Sequence, residues 1–471
     1  VFRFLLVSLN IKAILQETTL NRRRKKLGAL TNGLGLGGAY DATIGRIEAQ
    51  EGDRARLGMD ALMWISHSER PLTTDEIRHA LAVEIGSTDI DANNVPSIRT
   101  VLGCCQGLVA VDKGSSTTRL IHFTLKEDLS HHPNFSGAHS KIAEACLTYL
   151  NSQTIKDLSA SPSRDPQGTP FLAYSSLYWG AHMRMKLSDH SRTLALDLLD
   201  QYDNHISAEL LWKSTRERYL NPAKPFSALH CVSYFGIDKV AIDWIKTKRW
   251  DVNRRDSLGL TPLMWAARCG REEVVKFLLQ QKHTQPDIPD TEYGRTALSW
   301  AAESGHEGVV RLFLGPLFLN PGSVGRRWGN TWRVVGLLFG KKYINPDRPD
   351  DRGQAPLSWA ARNGHDGIVR LLLERGGVSP DRPDHFGQTP LSWAAQDGHD
   401  GVMRLLLELG GVSPDRADNF GQTPLSWAAL NGHDGVVKLL SAREAETPRH
   451  RIGLGDTAFL GNFGPRPAPS L

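Results

Sequence analysis

From about Asn221 to Leu440 the apolar and polar positions follow a rhythm that restarts every 34 residues or so. Three stretches nearly coincide: Gln354-Ala-Pro-Leu-Ser-Trp-Ala-Ala, Gln388-Thr-Pro-Leu-Ser-Trp-Ala-Ala and Gln422-Thr-Pro-Leu-Ser-Trp-Ala-Ala. Looser copies begin at Leu260-Thr-Pro-Leu-Met-Trp, Arg295-Thr-Ala-Leu-Ser-Trp and Phe226-Ser-Ala-Leu-His. Each copy predicts two short helices. Thr389 can cap the first, with Pro390 at the first helical position, where a missing N–H costs nothing. Leu391, Ala394 and Ala395 give it a close-packing face, and Gly398 suits the left-handed turn that ends it. Asp400 opens a second helix whose Val402, Met403, Leu405, Leu406 and Leu407 form an apolar face. Gly410-Gly411, Asp418 and Gly421 supply turn chemistry before the next copy. Neither helix can bury its face alone, so neighbouring copies must stack.

The spacing breaks once. Ser227, Thr261, Thr296, Ala355, Thr389 and Thr423 are separated by 34, 35, 59, 34 and 34 residues. Gly329-Asn330-Thr331 lies in register 35 after Thr296, and Trp332-Arg-Val-Val-Gly-Leu-Leu-Phe resembles a second-helix segment. The reading is six repeats plus one truncated repeat near 329–343, with local disorder or a kink expected between Gly315 and Lys342. Ala355 replaces a capping Thr, an expected loss of about 1 kcal/mol.

These residues resemble the ankyrin family, with its Asp-x-x-Gly-x-Thr-Pro-Leu-His-x-Ala-Ala opening. Ser299, Ser358, Ser392 and Ser426 stand at the family's His position, and Met264 in an earlier copy. The resemblance implies protein binding through hairpin tips and the first-helix surface, without catalysis. Carried over residue by residue, the family's variable positions are Asp351, Arg352, Gln354, Arg362 and Asn363 in one repeat. The next offers His385, Phe386, Gln388, Gln396 and Asp397, and the last Asn419, Phe420, Gln422, Leu430 and Asn431. Phe386 and Phe420 either anchor a partner, as aromatics often do, or pack on neighbouring hairpins. The recurring Trp265, Trp300, Trp359, Trp393 and Trp427 read as packing between repeats. His306, His365, His399 and His433 recur once per repeat, too widely spaced for one metal centre.

Upstream, Gly58–Ile65 reads as a short helix, and Thr73-Thr-Asp-Glu76 as a capping box opening a second over Ile77–Val83. Val95–Cys105 reads as a third helix. Leu108-Val-Ala-Val-Asp and Thr118-Arg-Leu-Ile-His-Phe-Thr-Leu alternate around Gly114-Ser-Ser as a hairpin wing. The segments Ser68–Ile77 and Ile121–Leu129 resemble the winged-helix part of fungal NACHT–ankyrin proteins. Those are STAND-type relatives of NOD-like receptors, and the same segment type accompanies GPI inositol-deacylases. The resemblance implies a sensor: ligand capture by the repeats and relay through the winged-helix and helical parts to an upstream nucleotide switch. Oligomerisation is expected only with that switch present.

The expected fold is therefore mostly α. Residues 1–54 form a helical segment after a missing nucleotide-binding module, 55–130 the winged helix and 131–221 a helical linker. An α-solenoid with β-hairpin tips spans 222–443, before an irregular tail over 444–471.

Composition changes this picture little. The formal net charge is +5, from 56 Lys+Arg against 51 Asp+Glu, too small an excess to argue for nucleic acid or membrane. The third winged-helix segment carries Arg99 as its single cation, whereas phosphate contacts need several; nucleic-acid binding is the disfavoured alternative. Cys104, Cys105, Cys146, Cys231 and Cys269 have neither disulfide nor zinc spacing. No phosphate-loop motif of the G-x-x-x-x-G-K-[ST] type occurs, and Gly33-Leu-Gly-Leu-Gly-Gly38 follows the basic run Arg22–Lys26 and not a strand. No catalytic residue, cofactor or metal is expected. With no apolar stretch long enough to span a bilayer, a soluble cytoplasmic protein is expected; Arg22–Lys26 is either a nuclear address or a solvated helix face.

Overall fold

In the computed structural model the described residues are 15, 18–25, 36–160, 168–215, 226–237, 239–240, 244, 250–315, 344–375, 377–409 and 411–446. Helix α1 (Leu36–Glu48) packs on α2 (Asp53–His67), which carries α3 (Thr74–Ala82) and α4 (Ile98–Cys104). Strand β1 (Val109–Val111) pairs antiparallel with β2 (Thr118–Leu120), Val109 opposite Leu120, followed by α5 (Phe123–Ser130). The capping box is complete: Glu76 N–H donates to Thr73 Oγ1 at 3.2 Å and Thr73 N–H to Glu76 Oε2 at 2.8 Å. Helix α4 begins later than expected because Ser97 takes the cap, accepting from Thr100 N–H at 3.1 Å. The wing's second strand stops at Leu120, because Leu125 and Leu129 bury at helical spacing in α5.

Helices α6 (Ala138–Asn151), α7 (Gln153–Ala160), α8 (Leu172–Met185), α9 (Asp189–Asp200) and α10 (Ile206–Ser214) follow. The repeats then supply α11 (Ala228–Phe235), the pairs α12 (Pro262–Arg268) and α13 (Glu272–Gln280), and α14 (Ala297–Glu303) and α15 (Glu307–Leu314). Beyond 344 come α16 (Pro356–Arg362), α17 (Asp366–Arg375), α18 (Pro390–Gln396), α19 (Asp400–Leu409), α20 (Pro424–Leu430) and α21 (Asp434–Glu446). The molecule is mostly helical. Helix α21 runs past 444, where an irregular tail was expected, and residues 447–471 lie outside the described ones.

One inner row of helices connects everything: α2 packs on α6, α6 on α8, α8 on α11, and then α12, α14, α16, α18 and α20 in turn. A single apolar core runs from Tyr40 to Leu440 along it. At the junction of linker and repeats, Trp179 meets Phe235 edge-on at 5.3 Å, and Gly180 leaves the room that ring needs. The linker thus closes the first repeat, as a capping layer must.

Layers repeat the same bonds. The His306, His365, His399 and His433 imidazoles each donate Nε2–H to the carbonyl of Arg268, Glu303, Arg362 and Gln396 in the preceding layer, at 2.8–3.0 Å. The truncated repeat near 329–343, and the kink expected there, lie outside the described residues. The layers on either side of it touch directly. Helix α14 packs on α16 and α15 on α17, His365 reaches Glu303, and Asp351 N–H donates to the Tyr293 carbonyl at 2.9 Å. The Ala355 layer therefore takes the place next to the Thr296 layer.

The tips are turns and not paired strands. Asp350, Asp384 and Asp418 each donate N–H to the carbonyl of Gln354, Gln388 and Gln422, and their Oδ1 atoms accept the N–H groups two and four residues on. That carboxylate occupies the donors a strand ladder would use. Ala355 offers no side-chain cap, and Ser358 Oγ is buried without a partner, whereas Thr389 Oγ1 meets both Ser392 N–H and Ser392 Oγ. Ala355→Thr is expected to raise unfolding stability by about 1–2 kcal/mol, seen as a higher urea midpoint at unchanged m. No gain would mean the site cannot accept the hydroxyl.

Candidate interaction surface

The inner face is organised by tryptophan. Trp265, Trp300, Trp359, Trp393 and Trp427 each donate indole N–H to Oδ2 of the same layer's tip aspartate, at 2.9–3.1 Å. The aspartates are Asp256, Asp290, Asp350, Asp384 and Asp418. Between the rings lie guanidinium groups. Arg268 sits 5.3 Å from the Trp265 ring and 4.7 Å from Trp300. Arg295 sits 4.7 Å from Trp300 and 3.6 Å from Trp359. Arg362 follows, 5.7 Å from Trp359 and 4.4 Å from Trp393. This alternation of cation and ring is favourable when partly desolvated, and periodicity alone did not reveal it. Ring position was legible; the arginines occupy two different sequence positions, so no motif announced them.

Of the fifteen predicted surface residues, most are solvent-accessible. Asp351, Arg352, Asn363, His385, Phe386, Asp397, Asn419, Phe420, Leu430 and Asn431 are exposed, and Arg362, Gln396 and Gln422 half-buried. Gln354 and Gln388 are buried instead. Their amides point inward: Gln354 Nε2 toward Asp384 Oδ2 at 3.4 Å, Gln388 Nε2 to Gln396 Oε1 at 3.1 Å. They brace the surface and do not belong to it.

Phe386 and Phe420 pack on each other from neighbouring tips. Their rings stack, with centroids 6.5 Å apart and planes inclined by 20°, yet they remain 46% and 68% exposed. Leu430, also 68% exposed, adds an apolar side chain at the end of α20.

A second gathering of polar groups lies where the winged helix meets the linker. His139 Nδ1 and His182 Nδ1 are 2.8 Å apart and share one proton; His182 Nε2 is 2.9 Å from the Tyr174 hydroxyl, which accepts from Glu69 N–H at 3.1 Å. His67 packs edge-on against His139, with centroids 5.5 Å apart. Burial pushes His182 down to about 3, helped by His139 and His67. Burial likewise lowers His67, with His139 and Lys126 adding to it and the Met63 carbonyl opposing, and lowers His139 against the pull of Glu69. Among the described residues no group of His, Cys, Asp or Glu is arranged to hold a metal.

Gly37 and Gly38 of the glycine-rich run lie in the first turn of α1; Gly33 and Gly35 lie outside the described residues. Arg22–Lys25 are helical, with Arg22, Arg24 and Lys25 exposed and Arg23 half-buried. The five cysteines are free, four of them buried. No described helix is long and apolar enough to cross a membrane.

Comparison with protein families agrees with this architecture. Residues 218–320 and 357–450 match ankyrin repeats, and residues 49–143 match the winged helix domain of GPI inositol-deacylase. The chain contains both modules. The ankyrin matches leave a gap that coincides with the lengthened spacing between Thr296 and Ala355. No curated protein matches the chain in sequence.

The histidine cluster sets a pH dependence. Its folded-state values lie below the ordinary 6.5, so the unfolded chain binds more protons once the pH drops under that value. Stability should be fully present above about pH 6.5 and fall progressively toward pH 3. His182→Gln should flatten that slope in urea titrations across pH; an unchanged slope would place the sensitivity elsewhere.

Proposed function

We propose that this chain is a non-catalytic receptor module that captures a protein ligand on the tips and inner face of its ankyrin stack. The observation that carries this reading is the stacked pair Phe386 and Phe420, left 46% and 68% exposed beside the tryptophan row. Large aromatics fixed by their neighbours bind at little further entropic cost, the usual character of interface anchors. The relay half of the reading rests on the inner row: ligand contact at α18 or α20 is joined by packed helices to α2. In a STAND-type receptor, occupancy would pass along it to an upstream nucleotide switch.

The alternative, nucleic-acid binding by the winged helix, draws no support from α4, where Arg99 is the one cation, or from the wing, where Arg119 lies 3.7 Å from Asp112.

A pull-down from host lysate should use the whole chain, because a fragment cut at 222 would uncover Phe235 where Trp179 packs. A protein retained by the chain and lost by Phe386→Ser/Phe420→Ser, with the melting temperature unchanged, is the expected result; retention by both would remove the tips from the interface. The purified chain should show no saturable ATP hydrolysis, and measurable turnover would end the non-catalytic reading.

A further inference from the structure

The inner face holds its arginines in a regular way, with one exception. Arg295 is paired with Glu303 at 2.8 Å and lies 3.7 Å from Asp350; Arg362 has Asp397 at 3.9 Å. Both of these guanidinium groups thus have a carboxylate from the chain itself. Arg268 has the two rings and no carboxylate among the described residues. Exposed Arg184, from the end of α8, and Arg268 both act on the thiol of Cys269, which places the two cations in the same neighbourhood. Half-buried Tyr178 and Tyr234 line the same stretch, Tyr234 edge-on to Trp265 at 6.0 Å.

We infer that Arg268, clamped between Trp265 and Trp300 and flanked by Arg184, is a carboxylate-binding position that selects an acidic peptide segment of the captured protein. The argument is charge complementarity with a local precedent. One layer further along, Glu303 stands at the sequence position equivalent to Arg268 and satisfies Arg295; an Asp or Glu supplied by the partner would complete the row at Arg268 in the same manner. A guanidinium held by two rings keeps its fork oriented, so little rotamer freedom is lost when a carboxylate docks bidentately. The adjacent Tyr178 and Tyr234 give the flanking residues of an extended peptide an amphipathic floor. Phosphate would satisfy the same charge, but the occupants of the neighbouring positions are carboxylates, and the carboxylate is the source assigned here.

This inference rests on the proposal that the inner face binds protein, and the test separates the two. The immobilised full chain is panned against a random linear peptide display library. Recovered sequences should be enriched in Asp and Glu beside aromatic or aliphatic residues. A recovered acidic peptide should bind Arg268→Gln about 10-fold more weakly or worse, and Arg184→Gln more weakly as well. Arg184 is exposed and makes no hydrogen bond or ion pair among the described residues, so that second variant carries little folding burden. Recovery of peptides without acidic enrichment, or acidic peptides held equally by both variants, would overturn the carboxylate assignment and leave inner-face binding standing. Recovery of no peptide above background would overturn both.

Discussion

Everything in the repeat region depends on one carboxylate per layer. The tip aspartate spends Oδ1 on two backbone N–H groups of its own turn and Oδ2 on the indole of the first helix. A turn and a helix are thereby fixed to each other by a charged acceptor that is almost fully buried, as at Asp384, which is 6% exposed. Charge-assisted bonds in such surroundings are strong when every lone pair is used. Because the tip cannot swing relative to the helix, the tryptophans line up from layer to layer and leave the slots that hold the arginines. The surface chemistry is a by-product of the way each turn is closed.

Much of this was legible in the residues. The Thr–Pro opening, the small-residue helix face and the glycine turn name the fold because each has one local physical job. The Thr73 box and the wing were legible for the same reason. What escaped was everything decided by tertiary packing. Phe123 to Leu125 alternate as a strand would, but the burial of Leu125 and Leu129 makes them helical. Gln354 and Gln388 sit at positions that vary in the family, yet their amides turn inward to neighbouring polar groups. The register of Thr331 suggested a truncated repeat, which lies outside the described residues, while α14 and α16 on either side of it pack directly on each other. Among the surface residues, exposure at Phe386 and Phe420 could be anticipated; their mutual stacking required the layer spacing.

The linker changes how the two modules relate. Phe235 and Trp179 share an interface, and the winged helix reaches the same core through α6 and α8. Side chains packed at crystal-like density have few soft modes between them, so the described winged helix, linker and first repeat share one packed core. Where a flexible tether would lose a displacement, a packed row of helices transmits it.

A histidine bonds the preceding layer's carbonyl at the same pair of positions in four successive steps, including the step across the lengthened spacing, and Arg271 Nε–H takes that role toward the Tyr234 carbonyl at the first step. The interfaces in the array thus share one anchoring bond while their other side-chain contacts differ. Unequal recombination that duplicates or deletes one whole unit, say from Gly387 to Phe420, would keep that anchoring bond at the new joint. Array length can then change with the joint still anchored, while the arginine, glutamate, glutamine and leucine that follow the paired alanines are reshuffled into new orders. The lineage can sample recognition surfaces by counting repeats, which is far quicker than changing residues one at a time.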